Sequence, residues 1–265
     1  MATTLPALHI PAFPGFSTAD DHDLLESLCR QEVGAVVIPD FMSPDELRTI
    51  IDKIYTLKDE WQPGAGPGDY TIGNVWYAYI AFDRVDDYHA SSALSRAYME
   101  WHFPGLEQRI LDFCKAMVKG EDVIVRPGWG GPAFVNFTFD SETAMENGQL
   151  HTDHDGLPDS FLMSPNADNQ AFSFVLPIQM PDEGGNLNVW TDVFSPDEWE
   201  KYTCGSFEDL DAPEQEPTEV VYQAGKLVAL KSLRIHQIKR FQGSTDRITL
   251  NFRLTRLNGI WNVWF

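Results

Sequence analysis

Two residues that could bind a metal stand close together in the segment GQLHTDHDG (148–156): His151 and Asp153. On a β-strand, residues two apart point to the same face, so an imidazole nitrogen and a carboxylate oxygen would project together. His236, which follows the apolar segment KLVALKS (226–232), is the candidate for a third ligand. Two histidines and one carboxylate on one face of an octahedron leave three positions open, an arrangement typical of a non-haem Fe(II) site.

A candidate carboxylate-binding pair follows the third ligand. Arg247 lies eleven residues after His236, and Thr249 shares its face of a predicted strand. A guanidinium holds a carboxylate through two parallel hydrogen bonds, and a neighbouring hydroxyl adds a third. Taken singly, an H-x-D pair is common by chance, and Arg247 could be a surface residue paired with Asp246. In combination, these residues favour a metal site with a carboxylate anchor.

These residues resemble the Fe(II)/2-oxoglutarate-dependent dioxygenase superfamily, whose pattern is H-x-D, a distal histidine and then Arg-x-Ser. Here the pattern is His151-Thr152-Asp153, His236 and Arg247-Ile248-Thr249, and threonine in place of serine keeps the hydroxyl. Three further segments resemble prolyl-hydroxylase-like members: the N-terminal strand and helix, an E-G-G turn and the strand before the distal histidine, at GAVVIPDFMSPDEL (34–47), PDEGGNLNVW (181–190) and QAGKLVALKS (223–232).

The resemblance implies a mechanism and a cofactor set. Fe(II) would be held by the three ligands, 2-oxoglutarate by Arg247 and Thr249, and O2 would be the second co-substrate. Asn136, on the strand before H-x-D, would add a hydrogen bond to 2-oxoglutarate, although it could equally be a satisfied core amide. The reaction would couple oxidative decarboxylation of 2-oxoglutarate to oxidation of a C–H bond, and the protein would bind, orient and protect the reactants.

Asp153 carries further information about the type of reaction. In the related halogenases a small residue replaces this carboxylate and chloride takes the open position. The carboxylate therefore disfavours halogenation, and hydroxylation is the expected outcome, with desaturation or oxidative cyclisation remaining open.

The substrate is indicated less directly. The strand NFRL after Arg247 resembles a branch that acts on free amino acids and includes lysine halogenases and hydroxylases, with kainoid synthases as a neighbouring possibility. In that branch a residue at the position of Asn251 contacts the substrate. Arg253 would share its face and bind a substrate carboxylate, or else face solvent; Asp155 would reach an ammonium group, or else serve only as a turn residue.

The hydrophobic periodicity predicts helices first and strands afterwards. Helices are predicted at 21–32, after the capping box Ser43-Pro44-Asp45-Glu46, and at 91–118 with a break at Pro104-Gly105. Residues 1–20 are predicted as an irregular arm and 207–217 as an acidic surface insertion. Strands are predicted at 34–41, 74–82, 133–139, 149–153, 171–180, 186–190, 219–223, 226–232 and 247–254.

This order favours one domain over residues 1–265, mainly β with N-terminal helices. The helical part would cover about 1–120, and a double-stranded β-helix of the jelly-roll, cupin-like kind about 121–265. The chain is 265 residues long, which is enough to bury a sizeable core.

Composition limits the partners and the compartment. The formal net charge of -21 would repel phosphate backbones and anionic membranes, so a small-molecule substrate is expected rather than nucleic acid or a membrane. The three cysteines form no C-x-x-C pair, and the N-terminus lacks the pattern of a signal peptide. These features predict a cytoplasmic protein, and they indicate nothing about its oligomeric state.

Three other functions remain as alternatives. A peptide or protein side-chain hydroxylase would use the same residues with an open groove. A zinc hydrolase would need a ligand where Gln149 stands, and a non-catalytic cupin-like binding protein would not need the complete set of ligands and anchor.

Overall fold

The computed structural model describes residues 7–9, 24–30, 32–158, 170–190 and 213–265. The helices of these residues are α1 (Leu24–Cys29), α2 (Pro44–Thr56), α3 (Trp76–Ala81), α4 (Val85–His102), α5 (Leu106–Met117) and α6 (Glu142–Met145), with a 3-10 helix at Lys58–Glu60. The strands are β1 (Ala7–His9), β2 (Ala35–Ile38), β3 (Gln62–Pro63), β4 (Asp69–Ile72), β5 (Val123–Val125), β6 (Phe134–Phe137), β7 (Ala171–Gln179), β8 (Glu183–Gly184), β9 (Leu187–Val189), β10 (Thr218–Val220), β11 (Leu227–Lys231), β12 (His236–Ile238), β13 (Phe241–Gln242), β14 (Arg247–Leu257) and β15 (Ile260–Trp264).

The largest sheet among the described residues has ten strands, and β14 lies at its centre. The order along the sheet is β1-β2-β11-β7-β14-β6-β4-β3, and β15 joins β5 to β14. β14 pairs antiparallel with β7 on one side and with β6 and β15 on the other. Because side chains alternate along a strand, Arg247, Thr249, Asn251 and Arg253 share one face of β14.

A second, smaller sheet covers that face. It consists of β9 between the antiparallel strands β10 and β12. An apolar layer joins the two sheets and includes Val37 and Val228 from the large sheet and Leu187 and Val220 from the small one. Two facing, mainly antiparallel sheets that enclose a common interior form the predicted double-stranded β-helix, so the fold class is confirmed.

Helices α1, α2 and α5, with Met99 of α4, pack on the opposite, outer face of the large sheet. Phe113 of α5 contacts Phe174 of β7 edge to face, at a ring separation of 5.8 Å. Phe103, just after α4, contacts Phe134 of β6 at 4.8 Å. Both Phe113 and Phe174 are fully buried, and burial of a side chain of this size contributes about 1.5–3 kcal/mol. The helices therefore leave the inner face of the sheet available for a site.

Several predicted elements are confirmed with shifted ends. The helix predicted at 91–118 is divided into α4 and α5 at Pro104-Gly105, and α4 begins earlier, at Val85.

The predicted irregular arm differs from the prediction, because it contains β1, which pairs in parallel with β2. Most of the predicted acidic insertion at 207–217 lies outside the described residues. None of the helices in the described ranges has the length and apolar character that a membrane span requires.

The strand predicted at 74–82 is wrong, because this segment forms α3. Trp76 and Tyr79, three residues apart and thus on one side of a helix, both contact the ring of Tyr88 on α4, at 4.9 and 5.4 Å. The free energy gained by this tertiary packing outweighs the preference of aromatic residues for strands.

The strand predicted at 149–153 is also wrong. Residues 147–150 and 152–154 are irregular, and His151 forms an isolated bridge with His236. The segment runs beside β12 through separate hydrogen bonds, among them Gly148 N to Ile238 O at 2.8 Å. Its side chains are therefore not oriented by a continuous β-ladder.

The capping box of α2 allows a test of local stability. The Ser43 hydroxyl accepts from the Glu46 amide at 3.3 Å, and the Glu46 carboxylate accepts from the Ser43 amide at 2.8 Å. We expect Ser43→Ala to lower the free energy of unfolding by about 1 kcal/mol, since amides of the first turn lose their acceptor. Thr49→Ala, which removes only a hydroxyl bonded to Asp45 O in the same helix, is the control. Equal effects of the two changes in urea denaturation would contradict the capping role.

Candidate metal centre and co-substrate pocket

The three candidate ligands meet on the inner side of the small sheet. His236 is the first residue of β12 and pairs with Val189 of β9. The backbones of His151 and His236 exchange two hydrogen bonds, of 3.0 and 2.9 Å. The Asp153 amide donates to Ser232 O, just after β11, at 2.7 Å. The backbone thus brings residues from two distant parts of the sequence to one place.

One ligand atom from each of His151, Asp153 and His236 lies within 4.8 Å of the others. Nε2 of His236 is 3.7 Å from Oδ2 of Asp153, and the two imidazole ring centres are 4.2 Å apart. Within the described ranges, no other group of three such side chains could hold a metal ion. The spacing predicted from sequence therefore corresponds to a real juxtaposition in space.

Hydrogen bonds to the backbone orient both imidazoles. Nδ1–H of His151 donates to Gln149 O and Nδ1–H of His236 to Arg234 O, both at 2.8 Å. Each ring then presents the lone pair of Nε2, which is the form that binds metals. Burial, together with the charge of His151, lowers the pKa of His236 to about 4, so this imidazole is neutral.

The Asp153 carboxyl is ionised although it is largely shielded from solvent. Burial would raise its pKa, but the charge of Arg253, followed by those of His236 and His151, keeps the pKa below its usual range. Nη2 of Arg253 donates to Oδ1 at 2.7 Å. Two imidazoles and one carboxylate are the donor set that suits non-haem Fe(II) with three positions left open.

Arg247 lies deep in the same interior and is only 1% exposed. Its Nε donates to Gly185 O at 3.3 Å, and its guanidinium carbon lies 5.5 Å from the Tyr222 ring and 5.8 Å from the Phe137 ring. Among the described residues no carboxylate pairs with it. Burial lowers its pKa, but an arginine keeps its proton in a protein. A buried charge without a partner is costly, so this geometry calls for an anion.

Thr249, Tyr77 and Tyr222 each have a buried hydroxyl without a hydrogen-bond partner among the described residues. Burial raises the pKa of both phenols, and Asp69 raises that of Tyr77 further, whereas the charge of Arg247 acts in the opposite direction on each. These donors and Arg247 suit the far carboxylate of 2-oxoglutarate. Sequence analysis missed both tyrosines, because Tyr77 lies in the segment predicted as a strand and Tyr222 follows β10 with no motif.

The register contradicts the predicted contact of Asn136 with 2-oxoglutarate. Asn136 pairs with Ile248 on β14, whereas Arg247 pairs with Phe137 and Thr249 with Val135. By alternation, Asn136 points to the outer, helix-covered face of the sheet. It is fully buried, and neither of its amide atoms has a partner within the described ranges, so the structure does not show the satisfied core amide of the alternative either.

The three residues predicted to bind the substrate lie in different surroundings. Asn251 lies on the inner face of β14, and its Oδ1 is buried without a partner. The Asp155 side chain is 32% exposed and lies 3.6 Å from Nε2 of His154. Arg253 does not face solvent as in the alternative: its side chain is 14% exposed and its Nη2 is paired with Asp153, while its Nε has no hydrogen-bond partner among the described residues.

An aromatic wall (Trp76, Tyr88, Trp129 and Trp264) stands beside these residues. Trp129 lies 4.5 Å from Trp76 and 5.7 Å from Trp264 between ring centres. Arg126 is placed between the rings of Trp129 and Trp264, at 4.6 and 5.0 Å, and donates to the carbonyl of Gly156. This contact fixes the turn after Asp153 and helps to exclude water.

Gly156 is required at that turn. Its φ is +78°, and a Cβ there would lie 2.4 Å from Trp129 Cη2. Only glycine adopts this conformation without strain and allows the indole to approach so closely.

The sequence matches a known protein family over most of its length. A sequence profile of the family described as carrier-protein-independent halogenase WelO5 matches residues 13–255. The chain belongs to this family. It is an enzyme of the Fe(II)/2-oxoglutarate-dependent oxygenase superfamily, as the sequence predicted, and the cofactor set of that superfamily is Fe(II) with 2-oxoglutarate and O2.

Solved structures share the fold of this WelO5-family enzyme at low sequence identity. An N-substituted L-amino acid dioxygenase from Burkholderia ambifaria AMMD is 13% identical with a TM-score of 0.55, covering 92% of this chain and 91% of that one. HygX from Streptomyces hygroscopicus, solved with nickel and 2-oxoglutarate, is 16% identical with a TM-score of 0.52, covering 89% and 87%. A comparison with curated protein sequences finds none that matches.

Loss of one imidazole should be enough to disable the centre. We expect His236→Ala to weaken Fe(II) binding by at least about 100-fold, since one ligand is lost and Asp153 loses a favourable neighbour. Equilibrium dialysis under anaerobic conditions measures the change. His89→Ala, which removes an imidazole bonded to Gly128 O outside the cluster, is the control. Fe(II) affinity equal to the wild type in His236→Ala would remove this residue from the site.

Proposed function

We propose that this enzyme couples oxidative decarboxylation of 2-oxoglutarate to oxidation of a C–H bond in a small, amino-acid-derived metabolite. In the hydroxylation form, substrate, 2-oxoglutarate and O2 give hydroxylated substrate, succinate and CO2. The observation that carries the proposal is the unpaired, buried Arg247 on the same inner face that adjoins the cluster of His151, Asp153 and His236.

The residues have separate tasks in this proposal. His151, Asp153 and His236 would hold Fe(II), and Arg247 with Thr249 would bind the far carboxylate of 2-oxoglutarate. When bound, the iron supplies the activation of O2 at the expense of 2-oxoglutarate. The aromatic wall limits access of water, so that oxidation is directed to the bound substrate.

Hydrogen-bond acceptors near the centre support a substrate with an ammonium group. Oδ1 of Asn251 is buried without a donor, which is costly unless a ligand supplies one. Asp155 adds a carboxylate at the margin of the site. A free amino acid or a close derivative offers such donors, and this favours a small metabolite over a peptide side chain.

The family description makes halogenation a second candidate function. Asp153 argues against it, since its carboxylate lies where the metal would bind and is held there by Arg253. A halide would need the position that this carboxylate fills. We therefore propose that oxygen, not halogen, enters the product.

The direct test adds Fe(II) and 2-oxoglutarate to the enzyme without O2 and records the visible spectrum. A charge-transfer band is expected, because 2-oxoglutarate chelates the iron.

Amino acids and derivatives are then screened with O2 and chloride present, by succinate release and product mass. A product heavier by one oxygen supports the proposal, and a chlorinated product would refute the preference for oxygen. Bound zinc without a band would favour the hydrolase alternative, and no succinate with any substrate would favour a binding protein.

A second test separates the two anchor residues. We expect Arg247→Gln to raise KM for 2-oxoglutarate about 10–100-fold, since charge-assisted hydrogen bonds contribute about 1.5–3 kcal/mol. Thr249→Val, which removes only the hydroxyl, should raise it about 2–10-fold.

Folding provides the control for this pair of variants. Arg247→Gln removes a buried charge that no carboxylate of the described residues neutralises, so the unfolding free energy of the ligand-free protein should not fall. If KM for 2-oxoglutarate stays at the wild-type value in a folded Arg247→Gln protein, the anchor assignment is wrong.

A further inference from the structure

We infer that Arg253 is a positioning residue of the metal centre: it holds one oxygen of Asp153, so that the carboxylate offers the metal only the other. The inference rests on the proposed function, because it assumes that Asp153 is a metal ligand. It is distinct from the substrate-binding role that sequence analysis predicted for Arg253, which stays a prediction.

The backbone alone does not orient the Asp153 side chain. Residues 152–154 are irregular, and the nearest backbone bond is from Asp153 N to Ser232 O, at 2.7 Å. In a continuous strand the pleat would direct the side chain, but here its rotamer needs another constraint. The second contact must therefore come from a side chain.

Arg253 supplies that contact from a rigid element. It lies within β14, where it pairs with Ser173 of β7 and Trp264 of β15. A residue with neighbouring strands on both sides moves little, and sites built on such elements are more accurate than sites on loops.

The two oxygens of Asp153 face different partners. Oδ1 accepts from Nη2 of Arg253 at 2.7 Å, and Oδ2 lies 3.7 Å from Nε2 of His236. The side chains of Arg253 and Asp153 are 14% and 17% exposed, so solvent and salt screen this ion pair less than a surface pair. One oxygen is thus occupied, and the other remains on the side of the histidines.

The number of coordination positions explains why this matters. Two imidazoles and a single carboxylate oxygen fill three of six octahedral positions, which leaves two for 2-oxoglutarate and one for O2. If both oxygens of Asp153 bound the metal, one of these positions would be lost. Arg253 therefore favours the coordination that the reaction needs.

The test compares metal binding in four proteins: wild type, Arg253→Met, Asp153→Ala and the double variant. Mn(II) affinity of the ligand-free proteins is measured by titration, without turnover. We expect Arg253→Met to weaken binding about 10–100-fold, as is usual when a partner of a metal ligand is removed. In the Asp153→Ala background the same change should not weaken binding, because the remaining guanidinium only repels the cation.

Two further variants complete the experiment. Arg256→Met removes an arginine of the same strand that pairs with Glu121 at the surface, at 2.9 Å, and should leave Mn(II) affinity unchanged. Arg253→Lys keeps the charge and should restore part of the affinity lost in Arg253→Met.

The outcomes are distinguishable. If Arg253→Met tightens Mn(II) binding in both backgrounds, Arg253 acts only as a nearby charge and the inference is overturned. Unchanged Mn(II) affinity with a raised KM for the organic substrate would overturn it in favour of substrate binding. If the wild type itself binds no metal, the proposed function fails, and not merely this inference.

Discussion

Burial of positive charge on the inner face of β14 is the constraint on which the site depends. Arg247 and Arg253 both project from this strand into the space between the two sheets. Arg253 is neutralised by Asp153, whereas Arg247 pairs with no carboxylate in the described part of the chain. Because an uncompensated buried charge is unfavourable, the interior is prepared for an anionic ligand, and 2-oxoglutarate carries two carboxylates.

The two sheets hold the charged side chains and the metal-binding residues in fixed positions around one interior. β14 lies between β7 and β6, so its inner side chains are fixed at regular spacing along the interior. The small sheet places His236 opposite, and the two hydrogen bonds between the His151 and His236 backbones attach the irregular ligand segment to it. Helices α1, α2 and α5, packed on the outer face, stabilise the sheet without occupying the interior.

The family relationship and the local chemistry address different questions. The match over residues 13–255 assigns the chain to a family described as halogenases, and it establishes the enzyme class. The carboxylate of Asp153, with Arg253 bound to one of its oxygens, bears on whether oxygen or halogen enters the substrate. A family assignment does not decide this choice, because it depends on a few side chains at the metal and not on the fold.

The sequence by itself determined the parts of the site that a linear spacing records. His151, Asp153, His236 and Arg247 were recognisable because H-x-D, a distal histidine and a later arginine recur in a set order. The fold class followed from helical periodicity early in the chain and short apolar strands later. The capping box of α2 was also local, since all its contacts lie within three residues.

Only the tertiary structure decided the remainder, for reasons that no local pattern contains. Asn136 points away from the site because its register with Ile248 places it on the outer face. Tyr77 lies on α3, which packs against α4 in spite of a strand-like sequence, and Tyr222 contacts Arg247 from a segment without a motif. Arg253 meets Asp153, a hundred residues earlier, only when β14 and the ligand segment are brought together. Such contacts depend on pairing between distant strands. Their free energy is gained only when the chain has folded, so no local sequence pattern records them.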